Sequence, residues 1–267
     1  MTFWDHLEEL RGTLIRSLVV LCIMMIVGLV FRNFLFDKII LLPTKSDFFI
    51  YRWFRLGQDI KIVNLDISGQ FIVHLRASLM LSIVLSCPYL IWELWKFIAP
   101  ALYPEEKEGV GKAFLFSSSL FYLGVAVGYF ILLPVCLSFF QGYTVSDNIA
   151  NTFSLQSYMS MFGSMVLLIG IVFEFPILIM ILSEMGILDS GILKKGRRYA
   201  IVAVMIVAAL ITPADLGSMV IVSIPLYGLY ELSILFCRSG EKRQPSDGTS
   251  GTAEEGTEED DEEDSDD

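Results

Sequence analysis

The sequence predicts an all-α, polytopic membrane protein with six transmembrane helices, both termini in the cytoplasm and a periplasmic cap built from the first loop. The mean hydropathy is +0.63 and 54% of the 267 residues are hydrophobic, which is far from the composition of an ordinary soluble domain. The apolar residues also gather in runs, most of which are near or above the ~18–20 residues that cross a bilayer. In a soluble domain, the apolar residues that form the core would be spread along the sequence between polar ones.

The six runs follow one another along the chain; a long mixed loop over residues 32–71 separates the first two, and a tight turn at residues 212–216 joins the last two. The fifth run has about 13 apolar-class residues, or roughly 20 Å of helix at ~1.5 Å per residue, which is short of a ~30 Å hydrocarbon core. Local thinning of the bilayer or protection by neighbouring helices is therefore expected there. The predicted spans are residues 14–31, 74–98, 113–140, 158–182, 199–211 and 217–236.

The distribution of basic residues predicts the orientation. Six spans place both termini on one side, and 12 of the 19 Lys and Arg residues fall on that side. The other seven all lie between residues 32 and 76. The positive-inside rule therefore puts both termini in the cytoplasm. An aromatic cluster in the first loop favours a small periplasmic cap at the membrane interface; its members are Phe48, Phe49, Tyr51, Trp53 and Phe54.

The net charge of −11 comes from the end of the chain. Residues 241–267 hold 13 acids and two basic residues, so residues 1–240 are neutral. We expect a six-helix membrane domain over 1–238 and a disordered acidic tail over 239–267. Four cysteines without a CxxC motif and two histidines far apart predict neither a disulfide framework nor a metal site, and we expect no cofactor and no nucleic acid.

Carboxylates without a local basic partner mark two places at the expected cytoplasmic face. Near the N-terminus, Glu8 can pair with Arg11 at i,i+3, whereas Glu9 has no Lys or Arg at helical spacing. In the second stretch, Glu108 can pair with Lys112, while Glu105 and Glu106 stay free. Glu93 and Glu231 lie near the same interface. A face that presents acids suits a cationic ligand, and arginine fits best because its planar fork binds a carboxylate through two hydrogen bonds.

Glu174 lies inside the fourth apolar run, about eight residues from its cytoplasmic end. A charge at mid-membrane costs at least ~2.5–3.5 kcal/mol, so the side chain must face the protein interior or a wet cavity, or be protonated. Pro176 frees the carbonyl of Val172 and makes this part of the helix irregular. Glu174 is therefore a functional candidate, with a structural hydrogen bond to a neighbouring helix as the other interpretation.

Four segments resemble one family in order and spacing: HLEELR at 6–11, FIAPALYPEEK at 97–107, FEFP at 173–176 and TPAD at 212–215. The family is TatC, the six-span core component of the twin-arginine (Sec-independent) protein translocase. The resemblance implies that the protein moves folded proteins across a bacterial inner membrane with the proton-motive force, and that it does not hydrolyse nucleotide itself.

The resemblance also implies roles for individual residues. Glu9 and Glu106 would contact the paired arginines of a signal peptide, and the pairing argument alone leaves Glu105 and Glu106 as alternatives. The fifth and sixth spans would dock single-span TatA/TatB-type partners, and the complex would be multimeric. The remaining residues that match the family's motifs are Phe97, Tyr103 and Arg11 for signal contact, Glu174 as the intramembrane acid, Thr212 and Asp215 in the periplasmic turn, and Pro43 in the periplasmic loop.

Two other functions are compatible with a polytopic membrane protein. A proton-coupled small-solute carrier would use Glu174, but the sequence shows no internal repeat and only one deep acid. An intramembrane hydrolase would need a nucleophile and a base, and the sequence contains no HExxH, GxSxG or Walker motif. We therefore expect a signal receptor rather than an enzyme, with signal peptides, Tat subunits and membrane lipid as its partners.

Overall fold

The computed structural model describes residues 3–48, 50–51, 60–98, 110–146, 148, 151–184, 188, 190–212 and 216–237. Within these residues the chain forms six long helices, which confirms the predicted all-α architecture. Four helices are uninterrupted: α1 is Phe3–Val30, α2 is Gly69–Ile98, α5 is Ser190–Ile211 and α6 is Leu216–Phe236.

The other two long helices contain irregular turns. The third, α3, consists of Val110–Val127, a π-helical turn at Gly128–Leu132, and Leu133–Gly142. The fourth, α4, consists of Leu155–Gly163, a π-helical turn at Ser164–Leu168, Ile169–Val172 and, after a break at Phe173 and Glu174, Phe175–Glu184. The expected irregularity before Pro176 is present as that break.

Five of the six helices are long and apolar enough to cross a membrane, judged on the described residues. The exception is α5, which begins at Ser190 rather than at the predicted Tyr199. Its first turns include Lys194, Lys195 and Arg198, which come before the predicted fifth span, so the helix extends through this charged stretch. Likewise, α1 begins at Phe3, so the residues before the predicted first span continue the same helix.

Neighbouring helices run antiparallel and approach closely at glycines. Gly28 of α1 lies against Ser78 of α2, where an added Cβ would be 3.0 Å from the Ser78 Cα. Gly128 in the π-helical turn of α3 faces the π-helical turn of α4, where an added Cβ would be 2.3 Å from the carbonyl oxygen of Met165. Small residues at these crossings let the helix backbones pack closely in a membrane.

The first loop folds back on one end of the bundle, as the aromatic cluster predicts. It contains a short helix at Arg32–Phe34, a π-helical segment at Leu35–Ile40, a 3₁₀ turn at Leu42–Thr44 and strand β1 at Ile62–Val63, which pairs in parallel with strand β2 at Phe153–Ser154. Phe48, Ile50 and Tyr51 are buried in it. Three members of the predicted cluster, Phe49, Trp53 and Phe54, lie outside the described residues.

Buried tyrosines attach this cap to the bundle. The Tyr51 hydroxyl donates to the carbonyl of Pro43 at 2.7 Å, and the Tyr129 hydroxyl donates to the carbonyl of Ile39 at 2.8 Å. The Tyr158 hydroxyl donates to the carbonyl of Ile40. Burial raises the pKa of the Tyr51 phenol to about 12, so the group stays a donor at neutral pH. Pro43, a predicted site residue, is thus a buried element of the cap.

Candidate functional site

The end of the bundle opposite the cap carries the candidate site. Two contacts set the register of α1 and α2: Gly28 lies beside Ser78, and Arg16 lies beside Glu93. Because position numbers rise on one helix as they fall on the other, the start of α1 and the end of α2 share one end of the bundle. The described part of α2 ends here at Ile98, and the residues that follow it, 99–109, lie outside the described residues.

Glu9 lies on α1 near this end and is half-buried. Arg16 follows it by seven residues, which is about two helical turns, so both residues occupy the face of α1 that packs on α2. Among the described residues, none forms an ion pair or a hydrogen bond with the Glu9 carboxylate. The predicted lack of a partner for Glu9 therefore holds within the part of the chain that the structure describes.

The expected pair of Glu8 with Arg11 is wrong, since the ion pairs of the described side chains do not include it. Both residues are exposed on α1. An exposed i,i+3 pair stabilises a helix by only ~0.2–0.5 kcal/mol, which the ordering of two long side chains can cancel. Burial therefore distinguishes Glu9 from Glu8, because Glu8 is exposed to solvent and Glu9 is half-buried.

Glu93, which the sequence places near the cytoplasmic interface without assigning it a partner, is not a free carboxylate. Its side chain is 6% exposed, and it accepts hydrogen bonds from Arg16 Nε at 3.0 Å and Arg16 Nη2 at 2.7 Å. The Tyr89 hydroxyl donates to the same carboxylate at 3.0 Å. Arg16 Nη2 also lies 3.2 Å from Thr13 Oγ1. The chain's own guanidinium therefore occupies this carboxylate through both of its oxygens.

Glu231 is occupied in the same way at the contact of α5 and α6. Arg197 Nη2 donates to its carboxylate at 2.7 Å, and the Tyr227 hydroxyl donates to it at 2.9 Å. Both clusters pair a glutamate and a tyrosine four residues earlier on one helix with an arginine of the preceding helix. That shared Tyr-x-x-x-Glu spacing was the signal in the sequence that could have identified these two clusters.

The other residues expected to contact a signal are only partly described. Phe97 is half-buried at the end of α2, and Arg11 is exposed on α1. Tyr103, Glu105 and Glu106 lie outside the described residues. The described residues therefore include the α1 half of the predicted pair of carboxylates and the helix end that leads into the other half.

Glu174 lies at the break in α4, inside the bundle, as predicted. The Ser117 hydroxyl of α3 donates a hydrogen bond to its Oε2. Its Oε1 is buried and has no hydrogen-bond partner among the described groups. A neighbouring helix therefore satisfies one oxygen of this carboxyl group and not the other.

Thr212, which follows the last residue of α5, lies toward the cap end of the bundle. Thr212 is buried, and its hydroxyl donates to the carbonyl of Ala208 at 2.9 Å, which satisfies a carbonyl at the end of α5. Asp215 lies outside the described residues. In the described part of the chain, no three His, Cys, Asp or Glu side chains come close enough to hold a metal ion.

Comparison with known proteins identifies the family. The model of the family "Sec-independent protein translocase protein (TatC)" matches residues 5–225. A TatC protein of Blattabacterium sp. subsp. Periplaneta americana is 37% identical over 249 residues, with 88% of this chain and 94% of the relative covered. The TatC protein of Escherichia coli K12 is 30% identical over 233 residues, covering 87% of this chain and 86% of that one.

Solved structures agree with the sequence comparison. A crystal structure described as the twin arginine translocase receptor TatC superimposes with a TM-score of 0.73 at 31% identity, covering 86% of this chain and 97% of that one. A second, determined in the detergent DDM, gives a TM-score of 0.75 at 30% identity, covering 87% and 99%. Sequence and fold together show that the chain belongs to the TatC family of Sec-independent protein translocase proteins.

Proposed function

We propose that this protein is the twin-arginine signal receptor and core subunit of a translocase that moves folded proteins with the proton-motive force. The proposal rests on a difference between glutamates at the end of the bundle opposite the cap, namely whether each has a basic partner. Glu93 and Glu231 are each neutralised by an arginine of the chain, whereas Glu9 has no partner among the described residues. A half-buried carboxylate without a partner, at a protein surface, has acceptor oxygens available for an external cation such as a guanidinium.

Glu9 and Glu106 each bind one arginine of the signal pair. Paired guanidinium–carboxylate bonds are directional, so the site prefers arginine to lysine, which is a point charge. The choice of Glu106 over Glu105 rests on the resemblance in the FIAPALYPEEK segment. Phe97 and Tyr103 contact the apolar part of the signal beside the arginines, and Arg11 belongs to the same surface.

The protein is a multi-pass inner-membrane protein, and as a Tat component it works with other Tat subunits. Both termini face the cytoplasm, so the cap is periplasmic and Glu9 meets signals before they cross. TatA/TatB-type single-span helices dock along α5 and α6 toward the turn that holds Thr212 and Asp215. The complex is multimeric, Glu174 serves the intramembrane step of transport, and residues 239–267 form a separate acidic tail.

The direct test measures binding of a dye-labelled twin-arginine signal peptide to the purified protein. Glu9→Gln and Glu106→Gln each remove one proposed acceptor and are expected to weaken binding about tenfold to a hundredfold, as for a charge-assisted hydrogen bond worth ~1.5–3 kcal/mol. Glu8→Gln is the matched control, because it removes the same charge from the adjacent, exposed position. Equal affinities for Glu9→Gln and Glu8→Gln would reject the receptor site.

The small-solute carrier is the alternative that the sequence allows, and neither the curated relatives nor the matched structures are described as carriers. The carrier reading predicts proton-coupled uptake by this chain alone in liposomes. We expect no uptake above that of empty liposomes, and Glu174-dependent accumulation of a small solute would reverse this conclusion.

A further inference from the structure

The Arg16–Glu93 cluster lies about two helical turns below Glu9 on the same contact between α1 and α2. Three donors, two from Arg16 and one from Tyr89, fill the Glu93 carboxylate at 2.7–3.0 Å. The two partners differ in burial: the Arg16 side chain is 46% exposed, and the Glu93 side chain is 6% exposed. Without Arg16, the Glu93 carboxylate would keep the Tyr89 hydroxyl and the nearby charge of Lys96 but would lose both guanidinium hydrogen bonds, so it could accept a guanidinium of the signal instead.

We propose that Arg16 is a positioning and specificity-determining residue of the signal receptor. By occupying Glu93, Arg16 prevents this carboxylate from competing for the signal's guanidinium groups, and it fixes the register of α1 on α2 that presents Glu9. This inference rests on the proposed receptor function. It assigns to Arg16 and Glu93 a role that acts through Glu9, not direct contact with the signal.

The geometry supports this role in two ways. A side-on pair through Nε and Nη2 fixes the direction of the guanidinium plane as well as its distance, so it resists sliding of α1 along α2. Removing one partner of a buried pair leaves an uncompensated charge, whereas removing both charges leaves neutral groups that can hydrogen-bond. The proposal therefore predicts that a substitution at Glu93 suppresses the effect of a substitution at Arg16.

The test compares dissociation constants of a twin-arginine signal peptide and its twin-lysine variant with the purified full chain. The ratio of the two constants is the specificity. In Arg16→Gln we expect this ratio to fall about tenfold, which corresponds to ~1.4 kcal/mol. In the double variant Arg16→Gln with Glu93→Gln we expect it to return to within about threefold of the original value.

The second cluster provides a matched control. Arg197→Gln breaks an ion pair of the same length on α5 and α6, where Tyr227 takes the place of Tyr89 and the glutamate side chain is 35% rather than 6% exposed. It is expected to leave the specificity ratio within about threefold of the original value. A merely destabilising effect of a lost ion pair would lower the ratio in both single variants, so an equal fall in Arg197→Gln would overturn the proposal.

The location of the bound signal gives an independent readout. A photoreactive residue beside the arginine pair of the peptide is expected to crosslink near Glu9 in the original chain. In Arg16→Gln the crosslinks are expected to shift toward Thr13 and Glu93, by up to about 10 Å along α1. An unchanged ratio with unchanged crosslinks in Arg16→Gln would overturn the proposal, as would a double variant that is as impaired as Arg16→Gln.

Failure of this inference is distinguishable from failure of the receptor function. If Glu9→Gln leaves the specificity ratio unchanged, the receptor function itself is wrong. If Glu9→Gln abolishes the specificity and Arg16→Gln preserves it, only the role of Arg16 is wrong. If Arg16→Gln does not fold, Arg16→Lys is tested instead. Lysine keeps the positive charge but cannot form both guanidinium hydrogen bonds to Glu93, so the specificity ratio is expected to fall, and an unchanged ratio would overturn the proposal.

Discussion

The close approach of α1 and α2 at Gly28 gives a stability prediction with a calculable steric cost. An added Cβ at Gly28 would lie 3.0 Å from the Ser78 Cα, 3.1 Å from its Cβ and 3.3 Å from its carbonyl oxygen. Carbon atoms in ordinary contact are about 3.5–4.0 Å apart, and two of these three atoms are backbone atoms that cannot rotate away. In Gly28→Ala the two helices must therefore separate by roughly 0.5–1 Å.

The expected cost is about 1–3 kcal/mol, as for an overpacked core site. Among the described residues, α1 has few buried contacts that could offset this cost, because only 6% of its most apolar part is buried, against 33–50% in the four other candidate spans. At about 2 kcal/mol the ratio of folded to unfolded protein falls roughly thirtyfold. The same separation stretches the Arg16–Glu93 pair and displaces Glu9, so signal affinity should fall together with stability.

Thermal unfolding of the purified protein in detergent measures the change. Gly228→Ala in α6 is the matched control, because an added Cβ there meets no atom within 4 Å. It should be neutral or slightly stabilising, since Ala is favoured over Gly in a helix by up to ~1 kcal/mol. If Gly28→Ala unfolds at the same temperature as Gly228→Ala and binds the signal normally, the inferred close packing of α1 on α2 is wrong.

Two further predictions concern buried hydrogen bonds. The effects of Ser117→Ala and Glu174→Gln on thermal stability should be coupled in a double-mutant cycle by about 0.6–1.7 kcal/mol, from the average to the largest coupling known for hydrogen bonds between membrane helices. Strictly additive effects of the two substitutions would contradict the Ser117–Glu174 contact. Tyr51→Phe should destabilise the cap by about 1–3 kcal/mol, because it leaves the buried carbonyl of Pro43 without its donor. Hydrogen exchange of the backbone amides of the cap measures this destabilisation. Tyr143→Phe is the control, because Tyr143 is 64% exposed. Equal protection of the cap in the two variants would contradict the predicted role of the Tyr51 hydroxyl.

The sequence was sufficient to predict the membrane helices because long apolar runs have few alternatives in a bilayer. It was less informative about where the helices begin. The helices α1 and α5 begin at Phe3 and Ser190, well before their apolar runs. The residues in between include charged ones, which can continue a helix outside the hydrocarbon core. The break at Phe173 and Glu174 was predictable, because Pro176 follows closely and has no backbone N–H to donate within the helix.

The pairing of acids was predictable only in part. Glu9 was correctly expected to have no local basic partner, but the same local rule wrongly paired Glu8 with Arg11 and could not identify Arg16 as the partner of Glu93. Arg16 and Glu93 are 77 positions apart and Arg197 and Glu231 are 34 apart, so helix spacing carries no information about either pair. Such contacts depend on the register between helices, which close packing at residues such as Gly28 determines.

The central claim is that two carboxylates distant along the chain jointly bind one pair of arginines. Its most direct test places a photoreactive residue at position 9, and separately at position 106, in a chain that otherwise supports export. A twin-arginine signal should crosslink at both positions, and its twin-lysine variant should lose most of both crosslinks. Crosslinking at neither position, or equal crosslinking of the two signals at both, would contradict the claim.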